Sequence, residues 1–198
     1  MSNFYPINIL PKNDTERVEA LNRYEIFNAP KEKAFDNIVG LAQTIFNVPI
    51  AHLSFLDAKH EFVMASEGLP EMGLVPRGES LCALTVLRAE VVVIENALEE
   101  PLLSTHPYVH GEFGLRFYAG APLITPDNYV IGTLCLVDQQ PRSLSNHECK
   151  MLAELAKIAM EQLELRLANM EKTKSLAVAN ELLKEQIAQK DEFIGIVS

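Results

Sequence analysis

No apolar run in this 198-residue chain approaches the ~18 residues that a membrane-spanning helix needs. The first residues, MSNFYPINILPKND, carry neither a basic stretch nor a small-residue cleavage site, so no secretory leader is read and the expected compartment is the cytoplasm. Cysteine is scarce. Cys82, Cys135 and Cys149 are unevenly spaced with no CxxC pair, which points to neither a disulfide framework nor a zinc site, and Cys135 and Cys149 read as small core residues. Basic residues are outnumbered 17 to 27, giving a net charge of −10. Most of that excess falls before residue 145, and such a surface repels phosphate backbones and anionic lipid, excluding nucleic acid and polybasic membrane docking. There is no HExxH string, Gly-rich phosphate loop or nucleophile elbow, and His106 and His110, four apart around Pro107, read as surface loop residues. No catalytic residue, metal ligand or cofactor is expected.

What is present is a 48% hydrophobic fraction, enough for a real core. Residues 14–46 read as two helices parted by Asn28-Ala29-Pro30, and in the second Phe35, Ile38, Val39, Ala42, Ile45 and Phe46 recur at three- and four-residue spacing. Residues 50–56 and 61–66 read as a hairpin. An irregular stretch with Gly68, Pro70, Gly73, Pro76 and Gly78 follows, after which Ser80 is expected to cap a short helix through Arg88. Residues 91–95 form a third strand. A long connection then leads to a second hairpin, 115–124 and 129–137, about Pro126-Asp127-Asn128. Long connections between strands in a compact domain commonly line a functional site.

Ser145 and Glu148 form a capping-box pair, and no Pro or Gly appears between them and Gly195. The helix so started has two apolar phases. Leu152, Ala156, Ala159, Leu163, Leu167 and Met170 make one stripe; Leu176, Leu183, Ile187, Ile194 and Val197 make another at heptad spacing, with Asn180 and Lys190 in the same seam. A stutter-like adjustment or local unwinding is expected over 171–174. The second seam needs a partner helix, and a homodimer supplies it. The expected organisation is an N-terminal arm (1–13), a sheet domain (14–142), a helix packed on it (143–170) and a coiled coil (171–198).

The order of elements, together with LNRYEIFNAP (21–30), VPIAHLSFLD (48–57), RFYAGAPL (116–123), IGTLCLVD (131–138) and the Pro141-Arg142-Ser143-Leu144 exit, resembles GAF domains placed ahead of bacterial histidine kinases and diguanylate cyclases. The resemblance implies an α+β fold, a central antiparallel sheet with flanking helices and a long C-terminal coiled-coil helix, and a ligand pocket under the loops. It leaves the ligand unspecified, an unknown small molecule at most. Two departures stand out: Leu84 where relatives often carry His, and Asn96 where they often carry Asp, so a more neutral pocket is expected. The closing string KDEFIGIVS (190–198) resembles the start of the phosphoacceptor helix of sensor histidine kinases. That resemblance implies the input half of such a kinase, ending one residue before the histidine, with a kinase core downstream in the same chain and a response regulator as its partner.

Arg77, Cys82, Arg116 and Tyr118 are the candidate ligand-binding residues. Arg116 and Tyr118 alternate about Phe117 and so share a face, where the guanidinium could clamp a carboxylate or phosphate. The competing reading pairs Arg116 with a surface acid and buries Tyr118 as core. Cys82 follows the Gly-rich loop; a thiol enzyme similar to methionine-sulfoxide reductases would use it as nucleophile, but Arg77 is its only nearby cation in sequence, which favours an inert packed thiol. A ligand-free dimerisation module is the remaining alternative.

Overall fold

The computed structural model describes residues 4–28, 30–69 and 74–197, without the side chains of Asn28 and 191–197; Ala29, Pro70, Gly73, Ser198 and the side chains of Ile194 and Val197 lie outside the described residues. Two compact units divide the chain, residues 1–162 and 163–198. The first holds a six-stranded sheet in the order β3-β2-β1-β6-β5-β4, every pair antiparallel. Its strands are β1 (Ile50–Leu56), β2 (His60–Glu67), β3 (Val75–Pro76), β4 (Val92–Ile94), β5 (Phe117–Ile124) and β6 (Val130–Asp138).

β1 and β6 are buried at every position, as the two central strands must be. Alternation sends Leu53, Phe55, Leu134 and Leu136 to one face of the sheet. There α1 (Asp14–Asn22) and α2 (Lys33–Phe46) pack, α2 through Phe35, Ile38, Val39, Ala42 and Phe46. Ile45, expected in that stripe, is 45% exposed, because Phe46 takes the sheet-facing position at the end of the helix. Asn47 then turns left-handed at φ 47°, and the Val48 N–H donates to the Gln43 carbonyl at 3.3 Å, a Schellman closure that feeds the chain into β1.

The opposite face of the sheet carries α3 (Cys82–Arg88) and the long connections. α3 starts one residue later than expected. Leu81 is its N-cap and the Ser80 hydroxyl caps nothing; the Ser80 carbonyl instead accepts from the Ala83 N–H and from Tyr5 Oη, at 3.2 and 2.8 Å. β3 lies in the stretch read from sequence as irregular and α4 (Pro107–His110) in the long connection after the third strand; two and four residues long, they are too short for a periodic signal. α4 also revises the reading of His106. Its ring is fully buried and caps the helix, Nδ1 accepting the Tyr108 N–H at 3.3 Å, while His110 is exposed.

The last helix, α5 (Asn146–Val197), begins on the expected capping box: the Ser145 N–H donates to Glu148 Oε2 at 2.7 Å and the Glu148 N–H to Ser145 Oγ at 3.3 Å. Within the first unit Leu152, Ala156, Ala159 and Met160 are buried, one face of a packed helix. The second unit is helical throughout its described residues and runs unbroken across 171–174, so no local unwinding occurs there. Leu176, Leu183 and Ile187 are all more than half exposed.

Candidate functional site

Between the sheet and the connections lies a cavity of about 120 Å³. Its walls are mostly apolar, with Val63, Leu69, Val75, Leu81, Leu115 and Val137, and its polar groups are His52, Glu61, Ser80, Cys82, Tyr108 and Tyr118. A cavity of this size suits a benzene-sized guest or a few waters, not a nucleotide or a tetrapyrrole, unless the loops move.

The polar groups converge because of register. On β1, His52 and Ser54 point to the cavity face, and β6 sets Cys135 opposite His52 and Thr133 opposite Ser54. β2 joins them on the turn side of a bulge. Leu53 pairs with Ala65 but Ser54 pairs with Val63, so a bulge skips Met64. Glu61, opposite Leu56, and Val63, opposite Ser54, therefore share the cavity face with His52, while beyond the extra residue Ala65, opposite Leu53, lies on the helix-covered face.

His52 Nε2 then stands 3.5 Å from Glu61 Oε1, both residues buried. Burial opposes charge on each, and mutual attraction outweighs it. For His52 the contacts to Cys82 and Glu61 hold the imidazole well above its usual value, and for Glu61 the bond to His52 leads in holding the carboxyl well below. The cavity expected to be more neutral therefore contains an ion pair, of zero net charge. Neither partner comes from the loop corner where the chain carries Leu84 and Asn96.

Cys82 Sγ lies 3.1 Å from Glu61 Oε1, 3.6 Å from His52 Nε2 and 3.2 Å from Cys135 Sγ. Burial, then the neighbouring Cys135 thiol, push the Cys82 thiol well up, the reverse of what an attacking thiolate needs. Tyr118 Oη is 2.8 Å from Thr85 Oγ1 and 3.4 Å from Cys135 Sγ. Gly120 makes room for this arrangement, since a Cβ there would come within 2.3 Å of Tyr118 Oη. Two polar atoms among these groups lack a partner, His52 Nδ1 and Ser80 Oγ. The Ser80 hydroxyl helps keep Glu61 ionised without reaching hydrogen-bond geometry.

Of the four residues singled out in the sequence, Cys82 and Tyr118 line the cavity. Arg77 and Arg116 do not. Arg77 grips Asp14 with both terminal nitrogens at 2.9 Å and also donates to the Asp57 carbonyl at 3.1 Å. Arg116 is committed to the carbonyls of Val109 and Leu115, at 3.0 and 2.8 Å. His52 and Glu61 were not singled out; an ionisable side chain in the middle of the largely apolar VPIAHLSFLD run was the available signal.

The profile of the GAF domain family matches residues 30–163. A cyclic di-GMP phosphodiesterase of Pseudomonas aeruginosa is 33% identical over 151 residues, which are 76% of this chain and 26% of that protein; the chain thus spans about a quarter of the relative it matches. Among solved structures, the GAF domain of an Acinetobacter phosphoenolpyruvate-protein phosphotransferase superposes with a TM-score of 0.58 at 21% identity, covering 82% of this chain and 97% of that one. A domain described as belonging to a two-component sensor histidine kinase of Sinorhizobium meliloti gives 0.58 at 18% identity, covering 74% and 99%. At these identities the superpositions speak for the fold.

Proposed function

Because the chain belongs to the GAF domain family, we propose that it is the sensory part of a signalling protein, in which an occupant of the cavity biases the long C-terminal helix and through it an output domain. The observation that carries this reading is the buried His52 Nδ1 and Ser80 Oγ, two polar atoms left unpaired beside a cavity. Buried polar groups without partners are costly, and a bound molecule that pairs with them recovers that cost. Cys82 and Tyr118 line the same cavity and would complete the contact surface. Arg77 and Arg116 would act by holding the walls.

The helix is the means of output. Leu176, Leu183 and Ile187, exposed at heptad spacing, support a homodimer through residues 171–198, and Asn180 and Lys190 in the same seam keep that packing weak enough to switch. The output we favour is a histidine kinase in the cytoplasm acting on a response regulator, on the likeness of 190–198 to the phosphoacceptor helix. A second reading, an output on cyclic di-GMP, is favoured by the 33% identity to the phosphodiesterase. No described helix is long and apolar enough to cross a membrane.

Native mass spectrometry of the chain purified from cells, with and without denaturation, tests both halves of the proposal. The expected result is two chains plus a mass that denaturation releases. A monomer at micromolar concentration removes the helix-pair relay, and a dimer whose mass and stability respond to no compound removes the sensory role.

A further inference from the structure

His52 of β1, Cys82 of α3 and Cys135 of β6 present Nε2 and two Sγ atoms, all within 4.8 Å of one another and all buried. We propose that these three side chains bind a metal ion of the zinc class at the cavity floor, its fourth position lying on the Glu61 side.

Geometry is the first support. Around a tetrahedral zinc with bonds of about 2.3 Å to sulfur and about 2.1 Å to nitrogen or oxygen, neighbouring donors sit about 3.8 Å apart for S···S, 3.6 Å for S···N and 3.4 Å for N···O. Here Cys82 Sγ to Cys135 Sγ is 3.2 Å, Cys82 Sγ to His52 Nε2 is 3.6 Å, and His52 Nε2 to Glu61 Oε1 is 3.5 Å. Both distances from nitrogen fit as they stand. The sulfurs need to part by roughly half an ångström, and Cys82 Sγ, 3.1 Å from Glu61 Oε1, must draw back from that oxygen by a similar amount, both through rotation of the Cys82 side chain.

The surroundings of the sulfurs are the second support. Ser54 Oγ lies 3.3 Å from Cys82 Sγ, while Thr133 Oγ1 and Tyr118 Oη lie 2.9 and 3.4 Å from Cys135 Sγ. Three hydroxyls around two thiols exceed what neutral thiols require. Ser54 donates to Cys82, and the Thr133 and Tyr118 hydroxyls, which also meet Ser54 and Thr85, can turn their protons toward Cys135 as a buried thiolate needs; outer hydrogen bonds of this kind hold metal ligands in place. Two sulfurs and an imidazole select a borderline-soft ion over calcium or magnesium, which take oxygen. Binding would displace one proton from each thiol as the divalent ion enters. The binding stands by itself; that metal occupancy is the signal rests on the sensory reading.

The test is a cobalt(II) titration of the full chain, demetallated with a chelator and kept reduced by a phosphine. The expected result is one equivalent bound per chain, with thiolate-to-cobalt bands in the near ultraviolet and tetrahedral bands in the visible, bleached by zinc. Cys82→Ser and His52→Gln should each weaken binding by about 100-fold or more, and Cys149→Ser should leave the spectrum unchanged. Should Cys82→Ser fail to fold, Thr133→Val serves instead, shifting the charge-transfer band and weakening binding about 10-fold while the fold is kept. Absence of thiolate bands, or a Cys82→Ser variant whose affinity and band intensity match those of the unaltered chain, overturns the proposal. An organic ligand found by native mass spectrometry with no cobalt binding would overturn the metal site and leave the sensory role intact. Stoichiometric metal with an output indifferent to it would do the reverse.

Discussion

Two clusters of charged side chains inside this domain, one around Asp14 and one around Glu61, are finished to different degrees. In the first, Asp14 sits between Arg17 and Arg77, with Arg17 Nε at 2.9 Å and both Arg77 terminal nitrogens at 2.9 Å; the remaining guanidinium contacts go to the carbonyls of Ile9, Leu56 and Asp57. Only Arg77 Nε lacks a partner there. In the second, His52 and Glu61 pair with each other and with Cys82, but the far nitrogen of the imidazole and the nearby Ser80 hydroxyl are left open beside empty volume. The closed group ties α1 and the N-terminal segment to the β1–β2 turn. The open group has spare bonding capacity, which scaffolding does not need and binding does.

The largest effect separating them should come from Arg77→Ala. It removes a bidentate partner from Asp14, whose carboxyl is held below its usual value, burial opposing and Arg77 then Arg17 prevailing. Leaving a partly buried carboxylate half-paired should cost about 3–5 kcal/mol, read as a shift in the urea midpoint. Arg77→Lys should recover little, since an ammonium cannot supply the fork. A loss of ligand response without a loss of stability would move Arg77 from the scaffold to the site.

The fold was far more legible in the sequence than this contrast. Hairpins, the α2 stripe and the Ser145–Glu148 box are local patterns, and each lies where its spacing puts it. Cys82 and Tyr118 were legible as cavity residues from a loop and a strand alternation. Arg77 was not, because its carboxylate partner lies 63 positions away on another helix. The His52–Glu61 pair was hidden for a different reason. Pairing of Leu56 with Glu61 beside the turn puts Glu61 on the His52 face, but which face the loops roof over is decided by contacts distant in sequence, and the bulge at Leu53/Ser54 breaks the alternation along β2 that would have shown it.

A smaller effect is expected from pH, through the other buried histidine. His106 is neutral: burial dominates in lowering its pKa to about 4, and Nδ1 accepts the Tyr108 N–H. Below its unfolded value of about 6.5 the unfolded chain takes up a proton that the folded chain refuses until about 4, so stability falls as pH drops through that window. His52, held protonated in the folded state, adds no opposing slope below about 6.5. Denaturation midpoints between pH 7 and pH 4.5 should decline by about 1–2 kcal/mol, and His106→Gln should flatten the decline. A slope that survives the substitution assigns it elsewhere.

Ser80→Ala is the smallest and most discriminating change. The hydroxyl is buried without hydrogen-bond geometry to any partner, so in the ligand-free domain its removal relieves a desolvation cost, offset in part by the support it lends to ionised Glu61, and leaves a void of only one atom. Stability should hold or rise, by about 1 kcal/mol at most, while affinity for whatever fills the cavity should drop. Opposite signs in stability and binding are the mark of a group kept for function at the expense of the fold. If stability instead falls by more than about 1 kcal/mol, Ser80 is part of the structural support of Glu61, and the second group is as closed as the first.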